Sequence, residues 1–289
     1  MKNIESIING ILRNDDFLFL KDEINKLDKL SSEEEVLLTK MIYPVLSIDT
    51  MQGYAFHKPK GYAGDYEMID RIYTFWKSGN PTLKVWDEFF HSQEAPIAVR
   101  NRKKYFINLA SQLEKEKSGP LRILNIGSGP ARDVKEFFDS NNWSKIIIDC
   151  IELDKDAIEY AKILCAEHLD KVRFINTNIF RYKPNNKYDL IWSAGLFDYF
   201  TDSQFVRLLK RLSSFITGTG EIVIGNFSDI NPSRLYMERF GRWYLNHRSK
   251  EALIQLARDA GATRNMIRVD SEELGVNLFL HINNDKNLY

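Results

Sequence analysis

Apolar residues recur at helical spacing over the first fifty positions. Ile4, Ile7, Ile8 and Ile11 form one stripe, and Leu37, Leu38, Ile42 and Val45 another, which is the period of an amphipathic helix. Ser31-Ser32-Glu33-Glu34 has the hydroxyl and following acids of a helix start. Between 51 and 66 (MQGYAFHKPKGYAGDY) the period is lost. Three glycines and three tyrosines predict a loop there, aromatic and basic in character. Helices are expected over Tyr66–Lys77 and Pro96–Lys117, with Gly79-Asn80-Pro81 as the break between them.

From Arg122 the pattern changes to short apolar runs alternating with helical periods. Runs at 123–127, 146–153, 172–176, 188–193, 221–225, 267–269 and 277–282 read as strands. Helical patterns occupy 133–141, 156–169, 204–215 and 250–260. Strands alternating with helices of these lengths predict parallel βαβ units in a doubly wound α/β sheet. The expected organisation is a helical N-terminal cap and substrate lid over 1–117, followed by an α/β domain over 118–289.

Composition narrows the partners. Lys+Arg and Asp+Glu are both 40, so the formal charge is zero. Bulk electrostatic binding of nucleic acid needs a basic surface and is not expected. The start, MKNIESIINGILRNDDF, lacks the sustained apolar core of a secretory signal. No run approaches ~18 apolar residues, so no membrane span is expected and the cytoplasm is the expected location. Cys150 and Cys165 have no CxxC spacing and read as buried free thiols. No His, Cys or carboxylate cluster has metal-ligand spacing, so no metal is expected. His91, His168 and His281 fall outside candidate loops and read as structural.

The chemistry lies at strand ends. Gly127-Ser128-Gly129-Pro130 follows the first strand and precedes a helix, where a glycine turn lets a ligand approach the backbone. The dinucleotide fingerprint needs a third glycine, and Arg132 stands in its place. A smaller nucleoside-type ligand is favoured over a pyrophosphate. Glu152 ends the second strand, 23 residues after Gly129. An acid there accepts from both ribose hydroxyls, and alone it leaves NAD and S-adenosylmethionine (SAM) open. Asn178 after the third strand can meet an adenine edge, with Ile179 and Phe180 as walls.

Together, ILNIGSGPARD (123–133), IELD (151–154), TNIF (177–180) and YDLIWSAGLFDYF (188–200) resemble the class I SAM-dependent methyltransferase family. The resemblance spans about 118–282. It implies a Rossmann-like seven-stranded sheet with an antiparallel last hairpin, and SAM as cofactor with S-adenosylhomocysteine (SAH) as product. It also implies that Gly127, Ser128 and Gly129 bind the methionine part, Glu152 the ribose, and Asn178 the adenine. Leu153, Ile179 and Phe180 would be apolar contacts, Ser193 would sit at the opening of the fourth strand, and Tyr199 would lie near the methyl-transfer centre. Many members carry Asp where this chain has Asn178.

KPKGYAGDYEMIDRIY (58–73) resembles a segment preceding the methyltransferase domain in a bacterial subgroup. That subgroup includes 3-hydroxy fatty acid methyl ester synthases, and it is similar to lanthipeptide methyltransferases that esterify a peptide C-terminus. The resemblance therefore implies O-methylation of a carboxylate in secondary-metabolite or signal biosynthesis. A carboxylate is ionised at neutral pH. It needs no strong base, but it does need cationic or hydroxyl donors to hold it. His57, Tyr199 and Arg242 are the candidate catalytic residues. Lys58, Tyr62, Tyr66, Arg234, Tyr244 and His247 are the candidate substrate contacts. Arg234, Arg239 and Arg242 have helix-like spacing, and at least two of the three are expected to be ordinary surface cations. The other readings are a methyltransferase acting on N or O of another metabolite, a nicotinamide-dependent oxidoreductase, and a non-catalytic SAM-binding protein. RNA methylation is disfavoured by the neutral charge.

Overall fold

The computed structural model describes residues 4–117, 119–141 and 143–284. Ser118, where the second expected domain begins, and the outer domain limits at 1 and 289 lie outside them. In chain order the helices are α1 (Ile4–Arg13), α2 (Phe17–Asn25), α3 (Ser32–Ile42), α4 (Met51–His57), α5 (Tyr66–Tyr73) and α6 (Pro81–Ser92). Then follow α7 (Glu94–Glu116), α8 (Arg132–Ser140), α9 (Lys155–Leu164), α10 (Asp202–Leu212), α11 (Arg234–Phe240) and α12 (Lys250–Asp259). The strands are β1 (Leu121–Ile126), β2 (Ile146–Glu152), β3 (Val172–Asn176), β4 (Tyr188–Ser193), β5 (Ile216–Phe227), β6 (Ile267–Ser271) and β7 (Asn277–Asn283).

The described residues divide into two compact units: residues up to 97 with 232–244, and residues 98–231 with 245 onward. This division differs from the expected limit at 117/118. Phe106 and Ala110 of α7 are fully buried in the core beneath β1, so most of that helix belongs with the sheet. Residues 232–244 group with the first unit, where Tyr236 meets Phe89 edge-on with ring centres 5.0 Å apart.

In the sheet-bearing unit, β1 shows how one strand serves two layers. Ile123 joins Phe106 of α7 and Phe137 and Phe138 of α8. Leu124 and Ile126 join Phe205, Leu208 and Leu209 of α10 and Leu253 of α12. Successive side chains of a strand point to opposite faces. A strand with apolar residues on both faces therefore needs cover on both sides, as a buried parallel strand does. Each such side chain, fully buried, contributes about 1.5–3 kcal/mol. Among the described residues the order is β3-β2-β1-β4-β5-β7-β6. β1 through β5 pair in parallel, and β7 runs antiparallel to both β5 and β6. This is the α/β fold with an antiparallel last hairpin that the sequence predicts. The strand order reverses between β1 and β4, and a crevice outside the carboxyl ends of those strands is where such sheets take ligands.

In the first unit, Asp16 caps α2, and Ser31 with Glu34 forms the capping box of α3. The segment expected to be a loop over 51–66 is helical in its first half. Thr50 accepts from Gly53 N at 3.0 Å and starts α4. Gly53 is present for close packing and not for flexibility, because a Cβ there would lie 1.9 Å from Ser47 O. The break at 79–81 is a helix start: Asn80 accepts from Thr82 N at 3.0 Å, with Pro81 at the first helical position of α6. Asp87 is fully buried on α6 and accepts from Met51 N at 2.6 Å and Ser78 N at 2.7 Å. It ties the start of α4 to the turn before α6, and burial pushes its carboxyl up against the pull of those donors. No helix among the described residues is long and apolar enough to cross a membrane.

Candidate functional site

The glycine turn after β1 is held by its neighbour strand. Gly127 N and Ser128 N both donate to Ile151 O, at 2.8 and 3.3 Å. Gly127 and Gly129 have φ of 64° and 52°, conformations that favour glycine. Gly127 is also constrained by space, since a Cβ would come 3.1 Å from the Leu196 side chain. Ser128 is buried, with its hydroxyl beside the Cys150 thiol.

Glu152, at the end of β2, reaches across to this turn. Its Oε2 accepts from Gly129 N at 3.0 Å, and its Oε1 accepts from Leu153 N at 2.7 Å and Asp154 N at 3.0 Å. The carboxylate is oriented before any ligand arrives, and Oε2 keeps a lone pair for an incoming hydroxyl. Asn178 Oδ1 accepts from Phe180 N at 2.9 Å. The second lone pair of that oxygen and the amide N–H groups remain for a base edge.

Gly127, Glu152, Leu153, Asn178, Ile179 and Phe180 line one cleft of about 140 Å³. Leu196 and Phe200 close it and were not among the expected contacts. The volume lies well below the ~300–1,000 Å³ of a pocket holding a drug-sized ligand. The cleft suits part of a cofactor, an adenine between apolar walls with its ribose at the carboxylate. Ser193 is elsewhere: it is fully buried, and its hydroxyl donates to Ile126 O at 3.1 Å. Tyr199, 42% exposed, lies in the short 3-10 turn Leu196–Tyr199 that follows β4.

Within that turn Asp198 is buried and accepts from Phe227 N at 2.7 Å. Burial lifts its carboxyl to about 7, against the pull of that N–H and of Arg102 and Arg248. Arg248 fastens the same turn, donating to Phe200 O at 2.6 Å, Asn226 Oδ1 at 2.7 Å and Asp202 Oδ1 at 2.9 Å. His247 accepts from Asn231 Nδ2 and donates through Nδ1 to Leu245 O, both at 3.2 Å. Cys150 and Cys165 are buried free thiols with raised pKa values, Cys165 to about 12.

The remaining candidates lie in the first unit. His57 ends α4, and its Nε2 faces Leu46 O at 2.9 Å. A carbonyl only accepts, so that nitrogen carries the proton. Lys58 follows in the left-handed conformation (φ 48°), its amine 3.5 Å from Gly241 O. Arg242 is also left-handed (φ 46°), with its guanidinium 4.2 Å from the Phe56 ring centre. Burial and then the charge of Arg242 pull the Lys58 amine below its usual range. Tyr66 is buried under the Lys60 ammonium, 5.2 Å from its ring centre, while Tyr62 and Tyr244 are exposed. Arg234 pairs with Glu238 at 2.7 Å and Arg239 with Glu35 at 2.5 Å. Arg242 and Tyr244 line a groove of about 690 Å³ together with α3 residues such as Glu35 and with Tyr43, which follows that helix. Among the described residues no group of three His, Cys, Asp or Glu side chains is placed to hold a metal ion.

Solved structures share the fold. A possible exported protein from Bordetella parapertussis has 14% identity and a TM-score of 0.66, covering 98% of this chain and 97% of that one. The S-adenosylmethionine-dependent methyltransferase SibL has 15% identity and a TM-score of 0.54, covering 98% and 96%. Magnesium protoporphyrin IX methyltransferase from Synechocystis PCC 6803, with bound SAH, has 10% identity and a TM-score of 0.53, covering 74% and 92%. No curated protein matches the sequence. The model of one family, AdoMet dependent proline di-methyltransferase, matches residues 73–261. That match takes in the glycine turn, Glu152, Asn178 and the 3-10 turn after β4, and on it the chain belongs to this family of methyltransferases, with SAM as its cofactor.

Proposed function

We propose that the protein esterifies a carboxylate, on a peptide C-terminus or a hydroxy fatty acid. The observation that carries this reading is the cation pair Lys58 and Arg242. Each sits on a strained left-handed backbone of a kind that clusters at functional sites. The charge of Arg242 makes the Lys58 ammonium harder to keep, and neither meets a carboxylate among the described residues. An anion between them would relieve that repulsion and gain charge-assisted hydrogen bonds. The groove beside Arg242, at about 690 Å³, has the size of a small-molecule site.

Bound SAM supplies an electrophilic methyl on a sulfonium; a carboxylate oxygen forms the new C–O bond as the C–S bond breaks, leaving SAH. No proton moves, so His57 is not needed as a base. Lys58 and Arg242 would hold the acceptor, with Tyr62 and Tyr244 as exposed hydroxyl donors. Glu152 and the glycine turn would fix the cofactor, and Tyr199 would stand at its exposed edge.

A second reading follows from the family's description: dimethylation of an N-terminal proline amine. One experiment separates the two. Acids, and peptides with and without N-terminal proline, are incubated with methyl-labelled SAM, and the products are treated with base. A methyl ester releases labelled methanol, and Lys58→Gln and Arg242→Gln raise KM for the acid without changing SAH affinity. A base-stable gain of two methyl groups on the proline peptide would replace the ester reading with the amine reading.

A further inference from the structure

α7 brings a cation to the carboxyl edge of the sheet that the glycine motif does not announce. Tyr105 and Phe106 pack on the Trp192 ring, with ring centres 6.3 and 5.5 Å apart. One turn earlier stands Arg102, 6% exposed. Because α7 leads directly into β1, that earlier turn lies toward the carboxyl ends of β1 and β4. The Arg102 Nη1 lies 3.5 Å from Ala194 O, just past the end of β4. It occupies the space a side chain at Gly195 would need, since a Cβ there would come within 2.6 Å of Nη1. Gly195 is not left-handed, so its lack of a side chain makes room for the guanidinium.

Arg102 Nε is buried and has no hydrogen-bond partner among the described residues. Asn125 Nδ2, at the end of β1 and 1% exposed, is in the same condition. So is the indole N–H of Trp192, whose Cα pairs in register with Asn125. These are three donors of one kind at the ends of two adjacent strands. Leaving buried donors without an acceptor is costly, and such a group calls for a ligand, ion or water. The acids that act on Arg102 are Asp133 and Asp198, both fully buried. Burial lifts them to about 6 and about 7, against the pull of the Arg102 charge. Gly127, whose own Cβ position abuts Leu196, lines the cofactor cleft.

We propose that Arg102, assisted by Asn125, anchors the α-carboxylate of the cofactor's methionyl tail. This inference rests on the SAM cofactor and not on the acceptor proposed above. The sulfonium-bearing end is then held at its far side by a charge-assisted, two-donor contact, and Ala194 O is left as an acceptor for the neighbouring ammonium. Arg132, half-buried at the start of α8, is the competing cation.

The test is calorimetric titration of the full chain with SAH and with its decarboxylated analogue S-adenosyl-3-thiopropylamine, which keeps the nucleoside and the ammonium. The wild type should bind SAH about 10- to 100-fold more tightly than the analogue, as one charged hydrogen-bonded contact predicts. In Arg102→Gln that preference should vanish while analogue affinity stays within about threefold. Arg102→Lys should recover part of it, and Arg132→Gln should leave it intact. Gly195→Ala provides a second variant, because its methyl displaces only the flexible end of Arg102. It should lose the preference with a native circular dichroism spectrum. Equal loss of both ligands in Arg102→Gln and Gly195→Ala, or loss of the preference in Arg132→Gln alone, would overturn the assignment. A wild type that binds neither ligand would instead put the cofactor itself in question.

Discussion

Removing the Glu152 carboxylate is the sharpest perturbation of the cofactor site. In Glu152→Ala three backbone N–H groups lose an acceptor: Gly129, Leu153 and Asp154. Leu153 is exposed and Gly129 is only half-buried, so water can replace the lost bonds and the fold should lose no more than about 1 kcal/mol. Binding should lose much more. The carboxylate has one lone pair free on Oε2 and would gain a second by releasing Gly129 N. Two ribose hydroxyls in place of one amide give a net gain of one charge-assisted bond. At about 1.5–3 kcal/mol, this amounts to about 10- to 150-fold in Kd. Calorimetric titration with SAH measures it, with circular dichroism as the check on folding. Glu152→Gln keeps one oxygen and should fall between. A natively folded Glu152→Ala protein that binds SAH within about threefold of wild type would refute the reasoning.

Three other outcomes are expected. Asp198, lifted by burial to about 7, holds a proton that the unfolded chain releases near ~4; the folded state is therefore favoured most below that pH and loses stability as pH rises to about 7. Asp198→Asn lacks this loss, so its Tm advantage over wild type should grow between about pH 5 and 8, and a constant difference would count against the assignment. Arg248→Met strands Asn226 Oδ1 and the Phe200 carbonyl. It should cost about 3 kcal/mol and lower Tm by about 6–10 °C in differential scanning fluorimetry, and an unchanged Tm would show that the clasp is not structural. Cys150 and Cys165 are buried with raised thiol pKa values and should react with Ellman's reagent only in denaturant, whereas fast labelling of the native protein would contradict their placement.

The parts of this molecule that can be read from sequence are those whose cause is local. The glycine turn follows an apolar run, Glu152 ends the next run, and Asn178 follows the third. Each is fixed by its position at a strand end, and all three lie near the one cleft. The capping box at Ser31 and Glu34 is equally local. Features set by distant contacts are not visible there. α4 is concealed because Gly53 reads as a breaker until Ser47 O is seen beside it. Arg102 looks like one more cation in a helix rich in them, and only the position of Gly195 gives it a partner surface. Arg248 sits in a stretch full of basic residues, yet its length is spent on Asp202, Asn226 and three backbone carbonyls. Ser193 follows the strand-end rule but turns inward to Ile126 O.

The grouping of residues 232–244 with the first unit has a consequence for the order in which the chain can fold during synthesis. Tyr236 donates to Gln52 at 2.7 Å, Ser233 accepts from Ala95 N at 2.8 Å, and Arg239 pairs with Glu35. None of these contacts exists when residue 97 leaves the ribosome. At about 5–20 residues per second, the segment that supplies them follows roughly 7–30 s later. Until then the early helices would hold unfilled the space of Tyr236 and Phe240, both buried in the finished protein. An N-terminal fragment ending at residue 97 should therefore be less stable than the same helices supplied with residues 232–244.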